Sequence, residues 1–168
     1  MTGNRISIAV AGLCSLIGAN AVAAEPLPSA THKVLPAALA VEAAQASIAA
    51  CKAQGYNVTV TVVDRTGAPV VMIAGDNARY IAKEVTRRKA YTSALWRMSM
   101  SEFSKRYPTP SGFDPSDFDD EIAYGAGAVP INAGNDTIGA ISAAGAPGGD
   151  KDEACAQAGL DKIRDRLN

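Results

Sequence analysis

The sequence predicts a single α+β domain: an antiparallel sheet of two β-hairpins, covered by terminal and central helices. Two segments each consist of a pair of apolar-rich stretches separated by a turn. This pattern is typical of β-hairpins. Alanine-rich segments with helical spacing of apolar residues lie before, between and after these hairpins. Because an antiparallel sheet must cover its apolar face, the two terminal helices are expected to pack on one side of it.

The first helix is predicted over residues 36–54, with Pro36 in its first turn and Gly55 just past its end. Its expected buried stripe is Val41, Ala44, Ile48 and Cys51. Valines then alternate with threonines over residues 57–64, which is typical of a half-buried strand. The letters "DRTG" predict a turn, and residues 68–75 predict the returning strand.

The middle of the chain is predicted to be helical over residues 78–98, and again over residues 101–107 with Ser101 as candidate cap. The expected inner positions of the longer helix are Ile81, Val85, Tyr91, Leu95 and Met98. Three prolines and a glycine make residues 108–121 a loop. The acidic run within it, residues 114–121, lacks the spacing of a calcium loop and is expected to be exposed.

A second hairpin is predicted from strands at residues 129–133 and 137–143, joined by a tight turn at Gly134 and Asn135. The last helix is predicted over residues 150–167. Its expected buried stripe is Ala156, Leu160, Ile163 and Leu167.

The glycine-rich joint "APGGD" leads from the last strand into this helix. A phosphate-binding loop uses such glycines but usually continues with a lysine and a hydroxyl residue, whereas acidic residues follow here. Asp150 is a good N-cap, and Glu153, three residues later, would complete a capping box. The local chemistry therefore predicts a capped joint rather than an anion site.

The N-terminus has the order of a signal peptide over residues 1–24: a basic Arg5, an apolar stretch at residues 6–19, and then small residues. Residues 25–34 are then a flexible leader and residues 35–168 the domain, so the mature protein is expected to be periplasmic or secreted and free of the membrane. The chain has 16 basic and 17 acidic residues, a balance that does not indicate nucleic-acid binding.

Two cysteines, Cys51 and Cys155, would remain after removal of the signal peptide. An even number of cysteines in an exported protein favours a disulfide. The alternative is that both are small buried apolar residues, as free cysteines usually are. The bond requires the two terminal helices to run antiparallel on one face of the sheet.

Three stretches, taken in order, carry a family resemblance. They are the valine-rich "VTVTVVDRTGAPVVMIAGDNA", the helical "RRKAYTSA" and the C-terminal "PINAGNDTIGAISAAGAPGGDKDEACAQAGLDKI". Over residues 35–167 the chain resembles the GlcG/HbpS-like family of haem-binding proteins. The resemblance implies an α-β-β-α-α-β-β-α domain with a profilin-like or PAS-like sheet, and self-association into homo-oligomers.

The resemblance also implies haem, or another tetrapyrrole, as ligand. His32 is the only histidine in the sequence and the candidate axial ligand. Arg88 or Lys89 is the candidate partner of a haem propionate. The alternatives are a solvated histidine in the leader and a solvated face of the central helix. A single histidine excludes a multi-histidine zinc site, and no metal ligands are predicted.

Three functions stay open at this point. The leading one is an exported haem- or tetrapyrrole-binding protein that stores, sequesters or slowly degrades haem. The second is an enzyme or accessory protein acting on a small organic acid or corrinoid, for which the sequence supplies no evident acid–base pair. The third is a cofactor-free oligomeric binding module.

Overall fold

The computed structural model describes residues 31–108 and 113–167. The predicted signal peptide and most of the predicted leader lie outside the described residues. The helices and strands follow the predicted order: α1 (Ala37–Lys52), β1 (Thr59–Asp64), β2 (Pro69–Ala74), α2 (Ile81–Trp96), α3 (Met100–Arg106), β3 (Ala128–Ala133), β4 (Asp136–Ala144) and α4 (Gly149–Ile163). Single 3-10 turns occupy Pro115–Asp117, inside the predicted loop, and Arg164–Arg166, after α4.

The four strands form one antiparallel sheet in the order β2-β1-β4-β3, which confirms the predicted α+β class. Helices α1 and α4 cover one face, where they enclose the main apolar core with residues such as Val60 and Ile141. Helix α2 covers the other face, where Val63 packs against Ala90 and Ala94. The sheet is therefore the middle layer of three.

Strand β1 is buried on both faces, so the prediction of a half-buried strand is wrong. Thr59 and Thr61, expected to face water, have no exposed surface. The reason is α2, whose Thr86 hydroxyl lies 2.8 Å from the hydroxyl of Thr61. The alternation of valine and threonine separates an apolar face under α1 and α4 from a hydroxyl-bearing face under α2.

Helix α2 turns its small and polar residues inward, contrary to the predicted apolar stripe. Ile81 is 59% exposed and Leu95 is 39% exposed. The buried residues of the helix are Ala82, Thr86, Lys89, Ala90, Thr92, Ser93 and Ala94. Small side chains let the helix approach the sheet closely, and the hydroxyl groups of Thr92 and Ser93 donate to carbonyl oxygens within 2.8 Å.

Helices α1 and α4 run antiparallel in close contact. Cys51 and Cys155 form a disulfide in the structure, with their Cα atoms 5.5 Å apart. Further along, Gly159 lies so near α1 that a Cβ atom on it would be 2.5 Å from the carbonyl oxygen of Ala43. The predicted stripe of α4 is buried throughout, whereas in α1 the predicted Val41 is 37% exposed. The buried residues of α1 are Ala40, Ala43, Ala44, Ser47 and Cys51.

Across residues 31–108 and 113–167, no helix combines the length and apolar composition that crossing a membrane requires.

Candidate functional site

The start of α4 is held by tertiary contacts, and the predicted capping box is wrong. The N-cap residue is Gly148, and no side chain caps the helix. The carboxylate of Asp152 accepts a hydrogen bond from the backbone N–H of Ala146 at 2.9 Å. Glu153 accepts from the N–H groups of Ser101 and Gly127 at 3.0 and 2.9 Å. Glu153 thus ties α4 to α3 and to the segment before β3.

Lys89 lies in this same buried junction rather than on a solvated helix face. Its ammonium donates to the carbonyl oxygen of Ala126 at 2.6 Å. Burial lowers the pKa of Lys89, and the nearby carboxylates of Asp152 and Glu153 oppose that effect. Burial likewise raises the pKa of Asp152, although the hydrogen bond from the N–H group of Ala146 lowers it in part. Because these groups bond to backbone, the junction joins α2, α4 and the segment before β3.

Arg88 and its neighbour Arg87 hold the end of the acidic run, residues 114–121, against α2. Arg88 donates to the carbonyl oxygens of Asp120 and Ile122. Arg87 forms ion pairs with Glu84 and Glu121. The donors of Arg88 and Lys89 are therefore engaged by residues 120–126.

Two other carboxylates of the acidic run accept hydrogen bonds from tyrosine hydroxyl groups. Asp119 accepts a hydrogen bond from the Tyr91 hydroxyl at 2.7 Å, and Asp114 accepts one from the Tyr124 hydroxyl. The bond from Tyr91 lowers the pKa of Asp119. Within the part of the chain that the structure describes, no group of three or more His, Cys, Asp or Glu residues is placed to hold a metal ion.

His32 lies in a different place, and the structure does not bring it together with Arg88 or Lys89. It lines a cavity of about 50 Å³, which we call the basic cavity. The other residues that line it are Lys33, Arg65, Arg97, Asp136, Thr137 and Ile138. They come from the leader, the β1–β2 turn, the end of α2 and the start of β4.

The two arginines of the basic cavity are not paired with a carboxylate of the described residues. Among residues 31–108 and 113–167, no carboxylate lies within 4.0 Å of the guanidinium group of Arg65 or Arg97. Arg97 is the C-cap of α2 and has the left-handed backbone with φ 56°. Neither arginine stands out in the sequence, because Arg65 is a turn residue and Arg97 lies inside the predicted helix.

An apolar cavity of about 400 Å³ lies at the same end of α2. The residues that line it are Leu95, Trp96, Phe113, Pro115, Phe118, Asp119 and Ile122. The ring centroids of Phe113 and Phe118 are 5.7 Å apart in a stacked arrangement, and Phe118 is 79% exposed. Apart from Asp119 the lining is aromatic or aliphatic, so the cavity suits a flat apolar ligand.

Both cavities include residues from the end of α2. Leu95 and Trp96 line the apolar cavity, and Arg97 lines the basic cavity. The β1–β2 turn that carries Arg65 also packs on α2, since a Cβ atom on Gly67 would be 3.1 Å from Leu95. The basic cavity thus combines an imidazole and three cations with the carboxylate of Asp136, and its Lys33 ammonium donates to the carbonyl oxygen of Ala133 at 3.5 Å.

Comparisons with known proteins agree with this architecture. HbpS from Streptomyces reticuli, solved as a double mutant, is 33% identical with a TM-score of 0.74, over 83% of this chain and 94% of that one. The Klebsiella pneumoniae protein ORFY is 20% identical with a TM-score of 0.75, over 83% and 98%. PduOC, solved as a complex with haem, is 18% identical with a TM-score of 0.71, over 78% and 96%. These last two show the fold alone.

A comparison with curated protein sequences found no match. The family model described as "Haem degrading protein HbpS-like" matches residues 35–161. That match covers most of the chain, and the Streptomyces protein is related over nearly its whole length. The chain therefore belongs to the HbpS-like family.

Proposed function

We propose that the protein is exported and binds haem at the end of α2, where His32 would hold the iron. The observation that supports this most directly is the apolar cavity of about 400 Å³ at the end of α2, whose aromatic lining suits a macrocycle. A haem needs an axial ligand for its iron and an apolar surface for its macrocycle, and this end of the fold supplies both. The description of the family as haem degrading and the haem complex of PduOC point to the same ligand.

Within this proposal each part of the site has one task. His32 would hold the iron, and the ring pair of Phe113 and Phe118 would cover one face of the macrocycle and exclude water from it. When bound, haem would supply a redox-active iron. The exposed position of Phe118 would bring it into contact with the ligand on binding.

A haemin titration of the mature protein tests the proposal. We expect a sharpened Soret band with a Kd in the low micromolar range, about −8 kcal/mol of binding free energy. His32→Ala should weaken or shift that band, whereas Lys162→Ala, a change at an exposed position of α4, should not. An unchanged spectrum in His32→Ala would remove His32 as ligand, leaving a methionine or tyrosine as candidate. If wild type shows no Soret band, the haem proposal is wrong.

The fate of the bound haem is a separate question, and the family description favours degradation over storage or sequestration. Incubating the complex with hydrogen peroxide and measuring both the decay of the Soret band and the iron released tests this choice. Free haemin in the same peroxide solution is the control. Iron released faster than from the control indicates degradation, and slower release indicates storage or sequestration.

The proposed export rests on the signal-peptide pattern of residues 1–24 and on the Cys51–Cys155 disulfide, which persists in oxidising compartments. N-terminal sequencing of protein from the native host should begin at Ala24 or Glu25. An intact Met1 in the folded protein would contradict export. Self-association, which the family resemblance implies, stays a proposal that sedimentation equilibrium of the mature protein tests.

A further inference from the structure

Strand β2 is one of the two edges of the sheet, since the strand order is β2-β1-β4-β3. It pairs with β1 on its inner side. Within the described residues, the backbone N–H and C=O groups of residues 70–74 that point away from β1 have no hydrogen-bond partner. Such a row of unpaired groups is a template for another strand, and native proteins usually protect it.

The other edge strand, β3, carries more of this protection than β2. Pro130 lies inside β3, the pairing register shifts just after it, and the Lys33 ammonium donates to the carbonyl oxygen of Ala133. In β2 the proline is the first residue and the register shift lies beside it, so residues 71–74 form a regular strand. Because a proline prevents pairing only where it lies, the edge of β2 stays open to a further strand.

The surface around this edge is uncharged and apolar. Residues 66–75 contain no charged side chain, although charged residues make up 20% of the chain. Met72 is 38% exposed. A groove of about 320 Å³ lies between α1 and the end of β2, and its apolar lining includes Ile48, Val58 and Ile73. A strand that paired with β2 would lie against this groove and bury it.

The chemistry of the edge favours a second copy of this chain as the occupant. Two-fold symmetry sets a surface against itself, so any charge on the strand would oppose its own copy. The nearest charges on either side of the uncharged segment are opposite in sign, Arg65 before it and Asp76 after it. Antiparallel pairing of two copies brings the end with Arg65 beside the end with Asp76, whereas parallel pairing brings like charges together.

We propose that two copies of the protein join through antiparallel pairing of their β2 strands, which makes one continuous sheet. This inference rests on the proposed self-association and adds to it the surface that is used. It does not depend on haem binding, since β2 lines neither the basic nor the apolar cavity. The regular part of each strand supplies about four main-chain hydrogen bonds to the pair. The groove beside α1 adds apolar contact.

Sedimentation equilibrium of the mature protein over a dilution series tests the surface with one charge on each edge. Met72→Lys places a lysine on β2, and the matched control Asn132→Lys places one at an exposed position of β3. In Met72→Lys the concentration at which half of the chains are associated should rise about tenfold or more, because like charges then meet across the strand pair. Asn132→Lys should associate as wild type does. Far-ultraviolet circular dichroism checks that both variants are folded.

Spin labels test the same arrangement without weakening the interface. Because Cys51 and Cys155 are bonded to each other, a label attaches only to an added thiol of the mature protein. Labels on Met72→Cys should lie within about 20 Å of each other, since paired strands are about 4.8 Å apart. Labels on Asn132→Cys should lie more than about 30 Å apart, because about seven such spacings separate the two β3 strands. Electron paramagnetic resonance measures both distances.

The outcomes separate this inference from the self-association on which it rests. A wild type that stays monomeric at every concentration overturns both. An assembled wild type whose association is unchanged by Met72→Lys, or whose Met72→Cys labels lie more than about 30 Å apart, overturns the assignment to β2 and leaves self-association intact. Association weakened by Asn132→Lys but not by Met72→Lys overturns the assignment as well, and places the interface at β3.

Discussion

Replacing Cys51 and Cys155 with alanine should remove a large part of the stability of the domain. The bond joins residues separated by 104 positions. In the chain-entropy description, closing a loop of that length restricts the unfolded chain by about 4.7 kcal/mol. For a domain with an unfolding free energy of about 5–15 kcal/mol, this loss is a substantial fraction of the total.

Packing adds a smaller cost. Both cysteines have no exposed surface and lie in the main core between α1 and α4. Removing the two sulfur atoms leaves small cavities, each of which costs about 1 kcal/mol. We therefore expect the double variant to lose about 5–7 kcal/mol and to melt on the order of 20 °C lower.

Urea denaturation of four proteins separates these effects: wild type, Cys51→Ala, Cys155→Ala and the double variant. Either single change already removes the bond, so each should lose most of the stability that the double variant loses. The second substitution should then cost only its packing. Added reductant should leave the midpoint of the double variant unchanged.

The reasoning is refuted by two results. Losses from the single changes that simply add up in the double variant would mean that no bond links the cysteines. A total loss under about 1 kcal/mol would mean that the bond does not restrict the unfolded chain as the loop length requires.

Further predictions concern the contact of α4 with α1, the buried lysine and the strained helix end. Gly159→Ala should lower the free energy of unfolding by about 1–3 kcal/mol in urea, since its Cβ would meet the backbone of Ala43; unchanged stability would contradict that close contact. Lys89 has a pKa below its ordinary 10.5, so between that lowered pKa and 10.5 the unfolded chain holds a proton that the folded chain has lost. The stability of wild type relative to Lys89→Met should therefore rise with pH in that interval, and a flat or falling difference in chemical denaturation would refute it. Arg97→Gly should raise the stability by about 0.5–1 kcal/mol because it relieves the left-handed backbone conformation of the arginine; a lower melting temperature would contradict the strain.

The order of helices and strands is determined by local sequence. Period-two valines around "DRTG" and the Gly134–Asn135 turn specify the hairpins, and the apolar spacing of α4 specifies its buried side. Two terminal helices facing one sheet follow from the need to cover its apolar face. These features depend on residues close in sequence, so they can be predicted without the fold.

The inward face of α2 depends on the surface opposite it. Taken alone, Ile81 and Leu95 are better core residues than Thr86 or Lys89. The face of β1 that α2 covers carries hydroxyl groups, so a helix with small and hydroxyl-bearing residues packs closely and satisfies them. Hydrophobic periodicity within the helix does not reveal which face is buried, because that depends on β1, whose Thr61 is 25 residues away from Thr86.

The start of α4 shows the same limit. The spacing of Asp150 and Glu153 is that of a capping box, yet Glu153 bonds to Ser101 and Gly127, which the sequence places 52 and 26 residues away. A local cap competes with backbone donors that only the folded chain brings near. The tertiary contacts prevail because they satisfy two backbone N–H groups with one carboxylate.

One part of the candidate site can be predicted from the sequence and the other part cannot. His32 is evident in the sequence because it is the only histidine, and a haem iron commonly takes one. Arg65 and Arg97 are an ordinary turn residue and an ordinary helix residue until the β1–β2 turn packs against the end of α2. The sequence by itself determined the elements, the apolar core between α1 and α4, and one candidate ligand. Only the tertiary structure decided which cations surround that ligand, because charges distant in the chain form one site when strand pairing and helix packing bring their backbones together.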